Sequence, residues 1–361
     1  MKKTLIALAV LAASGAAMAQ ATVTLYGIVD VNVQSAKRAT VDSTGTGVAG
    51  VTQTKLESGG QNGSRWGLKG SEDLGGGLKA VFDLQNGFAV DTGASGQGGL
   101  LFGRHAFVGL SNSVGTLTFG RHDTPWDDMF GGILASGTNV FAATNGPGLD
   151  AAGAVALKAG VVNADYVKAL KSFASNVGAW TGYNSRANNS IKFTSANFSG
   201  FTVSALYALG EDATATFGAT HTTSLAGQYA NGPITAVLAY QDEVLTTNPS
   251  SISLKNILAG GAYNFGRFKL SAAFNEAKVT DAPKQKEYAF GVSVPMNALT
   301  LRAQVAQSKG DFLGKSTGYD LEALYDLSKR TTLYTSYVNT KHELANDEHS
   351  SMFAMGLRHK F

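Results

Sequence analysis

Along most of this chain apolar and polar residues trade places at every second position, and the alternation restarts after each short polar or glycine-rich break. From Thr22 to Gln34, Leu25, Val29, Val31 and Val33 share one parity, while Tyr26, Asp30, Asn32 and Gln34 share the other; Ile28 alone breaks step. Ser64 to Gly70 sets Trp66 and Leu68 against Arg65 and Lys69, and Leu78 to Phe88 sets Ala80, Phe82 and Leu84 against Lys79, Asp83 and Gln85. Leu101 to Leu110 places Phe107 opposite Arg104, and Gly115 to Arg121 carries Leu117 and Phe119 on its apolar parity. Side chains on a strand point to opposite faces in turn, so each stretch predicts a strand with one greasy and one polar face.

The rhythm resumes at Ser190 with Ile191 and Phe193 against Lys192 and Thr194, and runs on through Phe201–Tyr207, 217–230, 233–243, 254–265 and Phe268–Asn275. It continues through Tyr288–Val294, through Leu299–Val305 with Arg302 and Gln304 opposite, through Tyr319–Tyr325 with Asp320 and Glu322 opposite, and through Leu333–Tyr337. The last stretch, His349 to Phe361, sets Phe353, Met355, Leu357 and Phe361 against Met352, Ala354, Gly356, Arg358 and Lys360. Two long interruptions stand out. Residues 35–63, rich in Gly, Thr and Ser, read as a loop; 122 to about 187 is the longest segment without alternation, and its Ala-rich part, Leu149 to Ala174, suits a short helix. Loops of that length in a compact domain are usually functional or disordered.

The pattern amounts to about sixteen strands, with short turns near 71–77, 111–114, 198–200, 231–233, 264–267, 295–298 and 327–330 and mostly longer loops between. Strands of that length, two-residue alternation and loops that differ by side mark a transmembrane antiparallel β-barrel of the outer-membrane kind. In lipid, every backbone polar group needs an internal partner, and a closed sheet supplies one. Tyr26, Trp66, Phe265, Phe268, Tyr325, Tyr337 and Phe361 fall at strand ends, as interfacial girdles require. A soluble all-β protein of the same pattern would enclose a lumen too wide to fill and turn its aromatics to water.

The beginning of the chain agrees with export. Lys2 and Lys3, the apolar run Leu5 to Ala13 and the Ala17-Met18-Ala19 site form a bacterial signal peptide, residues 1–19, too short to span a membrane. The barrel then occupies 20–361. Losing the two lysines lowers the formal charge from +3 to +1, so charge gives no argument for nucleic acid. With no cysteine, an exported chain holds itself by packing and closure rather than disulfides. Gly45 to Gly50 fits G-x-G-x-x-G but precedes no helix, and the six histidines have no metal-ligand spacing. No nucleophile stands with a base and an orienting acid. Neither a catalytic centre, a metal nor a cofactor is expected.

If the greasy parity faces lipid, the other lines a lumen holding Arg65, Lys69, Arg104, Arg186, Lys192 and Arg302 with Asp83, Asp320 and Glu322. Arg121 shares parity with Leu117 and Phe119 and reads as an outer-rim or subunit-contact residue. The long loop opens His122-Asp123-Thr124-Pro125-Trp126-Asp127-Asp128-Met129-Phe130-Gly131-Gly132, a sequence suited to turn sharply and present carboxylates.

With TLYGIVD at 24–30, SRWGLKGSEDLGGGLKAVF at 64–82, GRHAFVGLS at 103–111, GTLTFGR at 115–121, RANNSIKF at 186–193 and the terminal GLRHKF, the chain resembles the general trimeric porins of Gram-negative bacteria, of β-proteobacterial type. The resemblance implies a sixteen-stranded outer-membrane barrel whose third loop folds into the lumen, and passive diffusion of ions and small hydrophilic solutes. It implies that Arg65, Arg104 and Arg186, with Lys69 and with Asp83 beside them, form the wall of a constriction, and that Asp127 and Asp128 are the loop acids facing it. It further implies a homotrimer amid outer-membrane lipids, and a terminal strand ending at Phe361 that the outer-membrane assembly machinery reads. The cation excess at that constriction predicts mild anion preference. The loop runs some fifty residues past Gly132, longer than is usual in the family, so a loop-plugged structural or adhesive barrel is a competing reading. An outer-membrane barrel hydrolase is a further competitor.

Overall fold

The computed structural model describes residues 22–41, 47–133, 184–247, 251–280, 284–310, 314–343 and 348–361. The signal peptide, 1–19, and the Ala-rich stretch, 149–174, lie outside them. The alternating stretches become β1 (Thr22–Lys37), β2 (Thr52–Ser58), β3 (Arg65–Gly75), β4 (Leu78–Gly87), β5 (His105–Ser111), β6 (Gly115–Asp123), β7 (Arg186–Ser195), β8 (Phe201–Ala208) and β9 (His221–Asn231). They continue as β10 (Ile234–Thr246), β11 (Ile252–Asn264), β12 (Lys269–Val279), β13 (Lys284–Met296), β14 (Leu299–Gly310), β15 (Gly314–Asp326), β16 (Thr331–His342) and β17 (Glu348–Lys360). One short helix, α1 (Pro125–Ile133), follows β6.

From β3 onward each strand pairs antiparallel with the next, and β17 returns to β1, which leaves the sheet without a free edge. β3 pairs with the Thr22–Ile28 part of β1 and β2 with its Val31–Lys37 part, so these two strands form one stave and the barrel has sixteen. At the seam, the Gly27 amide donates to the Phe361 carbonyl (3.0 Å) and the Phe361 amide to the Gly27 carbonyl (3.1 Å). A Cβ on Gly27 would overlap the Phe361 ring, so a glycine is required where the last residue seats on the first stave.

The faces follow the alternation. Leu25, Leu238 and Met355 are 58%, 61% and 59% exposed, whereas Asp30, Gln241 and Asp320 are each 0% exposed. A soluble protein with this arrangement would be inside out; in a bilayer, the apolar face meets acyl chains and the polar face lines the interior. The short turns gather at one end and the loops at the other.

The structure departs from the sequence reading in several places. The loop expected over 35–63 contains the end of β1 and all of β2, whose only large apolar side chain is Leu56, too weak a signal for a strand. Phe107 is on the inner face: its ring stacks on His122 at 4.8 Å, and the outward positions of β5 are Val108 and Leu110. Tyr26 is not a girdle aromatic, because its hydroxyl donates inward to Asp83 (2.6 Å). The sharp turn expected at 124–132 is the helix α1. Arg121 stands on the outward parity at the end of β6, and it folds back to brace two chain segments, donating to the Gly103 carbonyl (2.8 Å) and to Asn188 Oδ1 (2.6 Å).

Candidate functional site

The loop after β6 starts inside the barrel because its first turn is built to be helical there. Thr124 caps it, its Oγ1 accepting from the Asp127 amide (3.3 Å); Pro125 occupies the first helical position, and Asp127 and Asp128 lie in the first turn, where the helix dipole favours negative charge. These start signals were present in the sequence as T-P-W-D-D. Trp126 and Phe130 stack (5.0 Å, 19°) and, with Ile133, bury themselves against Ala226, Val237, Ala239 and Leu258 on the inner faces of β9, β10 and β11. The Trp126 amide donates to Ser224 Oγ (3.1 Å). The seat is shaped by small residues; a Cβ at Gly260 would stand 2.9 Å from Ile133 Cγ1.

Across the first-half strands, one connected set of side chains joins most of the expected wall residues. Arg104 Nε donates to Gln85 Oε1 (2.7 Å), and Gln85 Nε2 donates to the Tyr26 hydroxyl (2.7 Å). Tyr26 in turn donates to Asp83, whose other oxygen meets His105 Nδ1 at 3.0 Å. His105 Nε2 meets Asp123 Oδ2 at 3.0 Å, and Asp123 Oδ1 is 2.7 Å from Arg186 Nε. That last contact is an ion pair without the alignment of a directed hydrogen bond. Both His105 nitrogens face carboxylate oxygens, which suits the doubly protonated ring.

Arg65 donates to the Gly63 carbonyl (3.2 Å) and interacts electrostatically with Asp123 and Arg186. Arg104, just before β5, also lies within reach of the Arg186, Arg65, Asp123 and Asp127 charges. Burial, then the two neighbouring arginines, lowers its pKa from the ordinary guanidinium value, yet the group stays charged at neutral pH. Arg65, Arg104 and Arg186 are therefore brought together.

The acids are distributed differently from the expectation. The carboxylate that meets Arg186 is Asp123, the last residue of β6. Asp128 pairs with Lys192 (2.7 Å), which also donates to the Asp123 carbonyl (2.8 Å), and Asp127 acts on Arg104 through its charge. Asp83 binds Tyr26 and His105 rather than an arginine. Lys69 lies apart, opposite Asp83 on the side of the short turn, with its ammonium 4.9 Å above the Tyr26 ring. His105, Asp123 and Lys192 complete the set. Asp123 was concealed because it stands where the alternation stops.

A second inward feature lay, but for Ser64, inside the stretch read as loop. Between β2 and β3 the segment 59–64 leaves the wall and crosses the inner face of the neighbouring staves. The amides of Gln61 (3.0 Å) and Asn62 (2.7 Å) donate to Asp30 Oδ2, and the Tyr334 hydroxyl donates to Asp30 Oδ1 (2.6 Å). Gln61 Nε2 reaches Glu322 Oε1 on β15 (2.8 Å), and Arg358 Nη1 on β17 donates to Asn62 Oδ1 (2.9 Å). From β1 to β15 is three inter-strand steps, roughly 14 Å. Within the segment, Gly63 lies beside Arg65 and Arg104.

Comparison with known proteins agrees with this architecture. Residues 4–343 match the Gram-negative porin family. The chain is 33% identical to outer membrane porin protein 32 of Delftia acidovorans over 96% of this chain and 91% of that one. It is 30% identical to an outer membrane porin protein of Bordetella pertussis over the whole of both. Among solved structures it is similar to an anion-selective porin from Comamonas acidovorans, with a TM-score of 0.75 and 27% identity over 95% of this chain and 100% of that one. The trimer form of OmpT from Vibrio cholerae, at 13% identity and a TM-score of 0.60, shares the fold.

Proposed function

This chain belongs to the Gram-negative porin family and is a channel of the bacterial outer membrane rather than an enzyme; from that premise we propose that it passes ions and small hydrophilic solutes with a weak preference for anions. The observation that carries this reading is the convergence of Arg65, Arg104 and Arg186 on the inner wall, with Lys192 and His105 near them; among the described residues Asp83, Asp123, Asp127 and Asp128 oppose them, and Asp30, which also acts on Arg65, is engaged by the amides of Gln61 and Asn62. Opposed charges on two sides of a low-dielectric bottleneck set up a transverse field, and the excess of one sign selects the counter-ion. Arg65, Arg104 and Arg186 form the cationic wall, Asp127 and Asp128 on α1 the facing acids, and Lys69 and Asp83 the approach from the short-turn side. The helix seated against β9–β11 supports a narrowed lumen. The mature protein, released near Ala19, assembles as a homotrimer and enters the membrane through assembly machinery that reads the strand ending at Phe361.

Reversal potentials in a potassium chloride gradient across planar bilayers test the selectivity. The expected sign is that of anion preference. Arg104→Ala should move the potential toward cations by up to about fivefold in permeability ratio, the factor corresponding to roughly 1 kcal/mol for one charge acting at 4 Å through water. A cation-selective wild type, or an Arg104→Ala channel with unaltered potential, would overturn the assignment.

A further inference from the structure

His105 opens β5 on the inner wall with an acid on each side of its ring. Nδ1 is 3.0 Å from Asp83 Oδ2 on β4, and Nε2 is 3.0 Å from Asp123 Oδ2 at the end of β6. A neutral imidazole donates from one nitrogen only, so at the other a lone pair would face a lone pair. Both contacts hold at once only when the ring carries its second proton. Phe107 tilts against the ring (5.9 Å, 46°) and stacks in turn on His122, which restrains the imidazole from swinging off either acid. The side chain keeps 22% of its surface exposed, a path for that proton to the water of the lumen.

Charged groups reach this ring or its two acids from every neighbouring element. Tyr26 of β1 donates to Asp83, and Lys69 of β3 stands opposite Asp83 in the sheet. Arg186 of β7 meets Asp123, on which Arg65 and Arg104 also act by charge. His122 of β6 and Asp128 of α1 feel the charge of His105 itself, and Lys192 is paired with Asp128. Arg121, on the outward parity, is tied to the Gly103 carbonyl and Asn188. Along the connected chain from Arg104 through Gln85 and Tyr26 to Arg186, the charges are Arg104, His105 and Arg186 against Asp83 and Asp123. With the ring protonated this chain is cationic by one charge; with the ring neutral it is balanced. We infer that His105 is the residue that sets the ion preference: its proton engages both wall acids and leaves the arginines to a permeating anion, and its loss returns both carboxylates to the arginines. The inference rests on the anion preference proposed above and names the group that controls it.

The first measurement needs no variant. Reversal potentials of the wild-type channel in a potassium chloride gradient, taken between pH 6 and about 9, cover the range where histidine rather than lysine titrates. Anion preference should fall across this range along a one-proton curve, by up to about fivefold in permeability ratio, the factor for one charge acting at 4 Å through water. His105→Gln should stay at the alkaline value throughout. His105→Arg, charged at every pH and able to donate on two sides, should stay at the value the wild type has at pH 6. A merely structural role for the ring predicts neither the wild-type step nor the rescue by arginine. A flat wild-type profile, a step that persists in His105→Gln, or a His105→Gln channel as anion-preferring at pH 6 as the wild type would each overturn the inference. If Arg104→Ala shifts the potential while the wild-type profile is flat, this inference alone fails; if neither responds, the anion-preference reading fails with it.

Discussion

Asp30 has no exposed surface, yet its carboxylate accepts from two backbone amides and a tyrosine hydroxyl. A buried donor left without its acceptor costs about 1–3 kcal/mol, so one side chain fixes the path of the whole 59–64 segment. Gln61→Ala, which removes the reach to Glu322, should leave the barrel folded and raise single-channel conductance modestly; unaltered conductance would show that the segment does not narrow the lumen. Because the chain has no cysteine, Gly63→Cys, placed toward Arg104, offers a clean check. A charged thiol reagent should reduce its current stepwise and leave the wild type untouched. Residues within regular strands were legible at this scale: Arg65, Arg186 and Lys192 follow from alternation. Arg104 was read as inward by setting it opposite Phe107, but Phe107 is itself inward; Arg104 precedes β5 and reaches the lumen against the parity set by Val108 and Leu110. Asp30 was recognisable as inward, but what it holds lies in a segment of Gly, Asn and Ser with no periodicity.

The helix α1 owes its place to two independent causes, a capped and correctly charged first turn and an apolar side that fits a seat of small residues. Gly260→Leu would drive a side chain into Ile133, and overpacking of this kind costs about 1–3 kcal/mol. Thermal unfolding in detergent should fall accordingly, and a displaced α1 should change conductance in the same variant. The acids of this element also predict a pH response. Desolvation inside the barrel raises the Asp128 carboxyl from its usual value against the pull of Lys192, an effect softened by the 40% of the side chain that stays exposed, so it protonates as pH falls through the acid range. Protonation removes a negative charge and releases Lys192, so anion preference should increase on acidification; reversal potentials taken between pH 7 and about 4 check the sign. The sequence contained the helix start signals, but Gly131-Gly132 and the paired acids pointed equally to a turn, and only the inner wall decides between them.

At the scale of the molecule, alternation alone disclosed the barrel, because closure in lipid leaves a strand almost no freedom except which face is greasy. Places where it misled, β2 and Phe107, are those where a stave lacks apolar residues or where one lies inside. Gly27→Leu, which would block the seat of Phe361, should abolish the heat-modifiable folded band in gel electrophoresis while leaving expression intact. The seam joins Gly27 and the strand residues after it to the closing strand at Phe361. A protease that cuts within this closing strand should therefore split the cylinder along its length, so resistance to clipping there reports on whether the wall is shut.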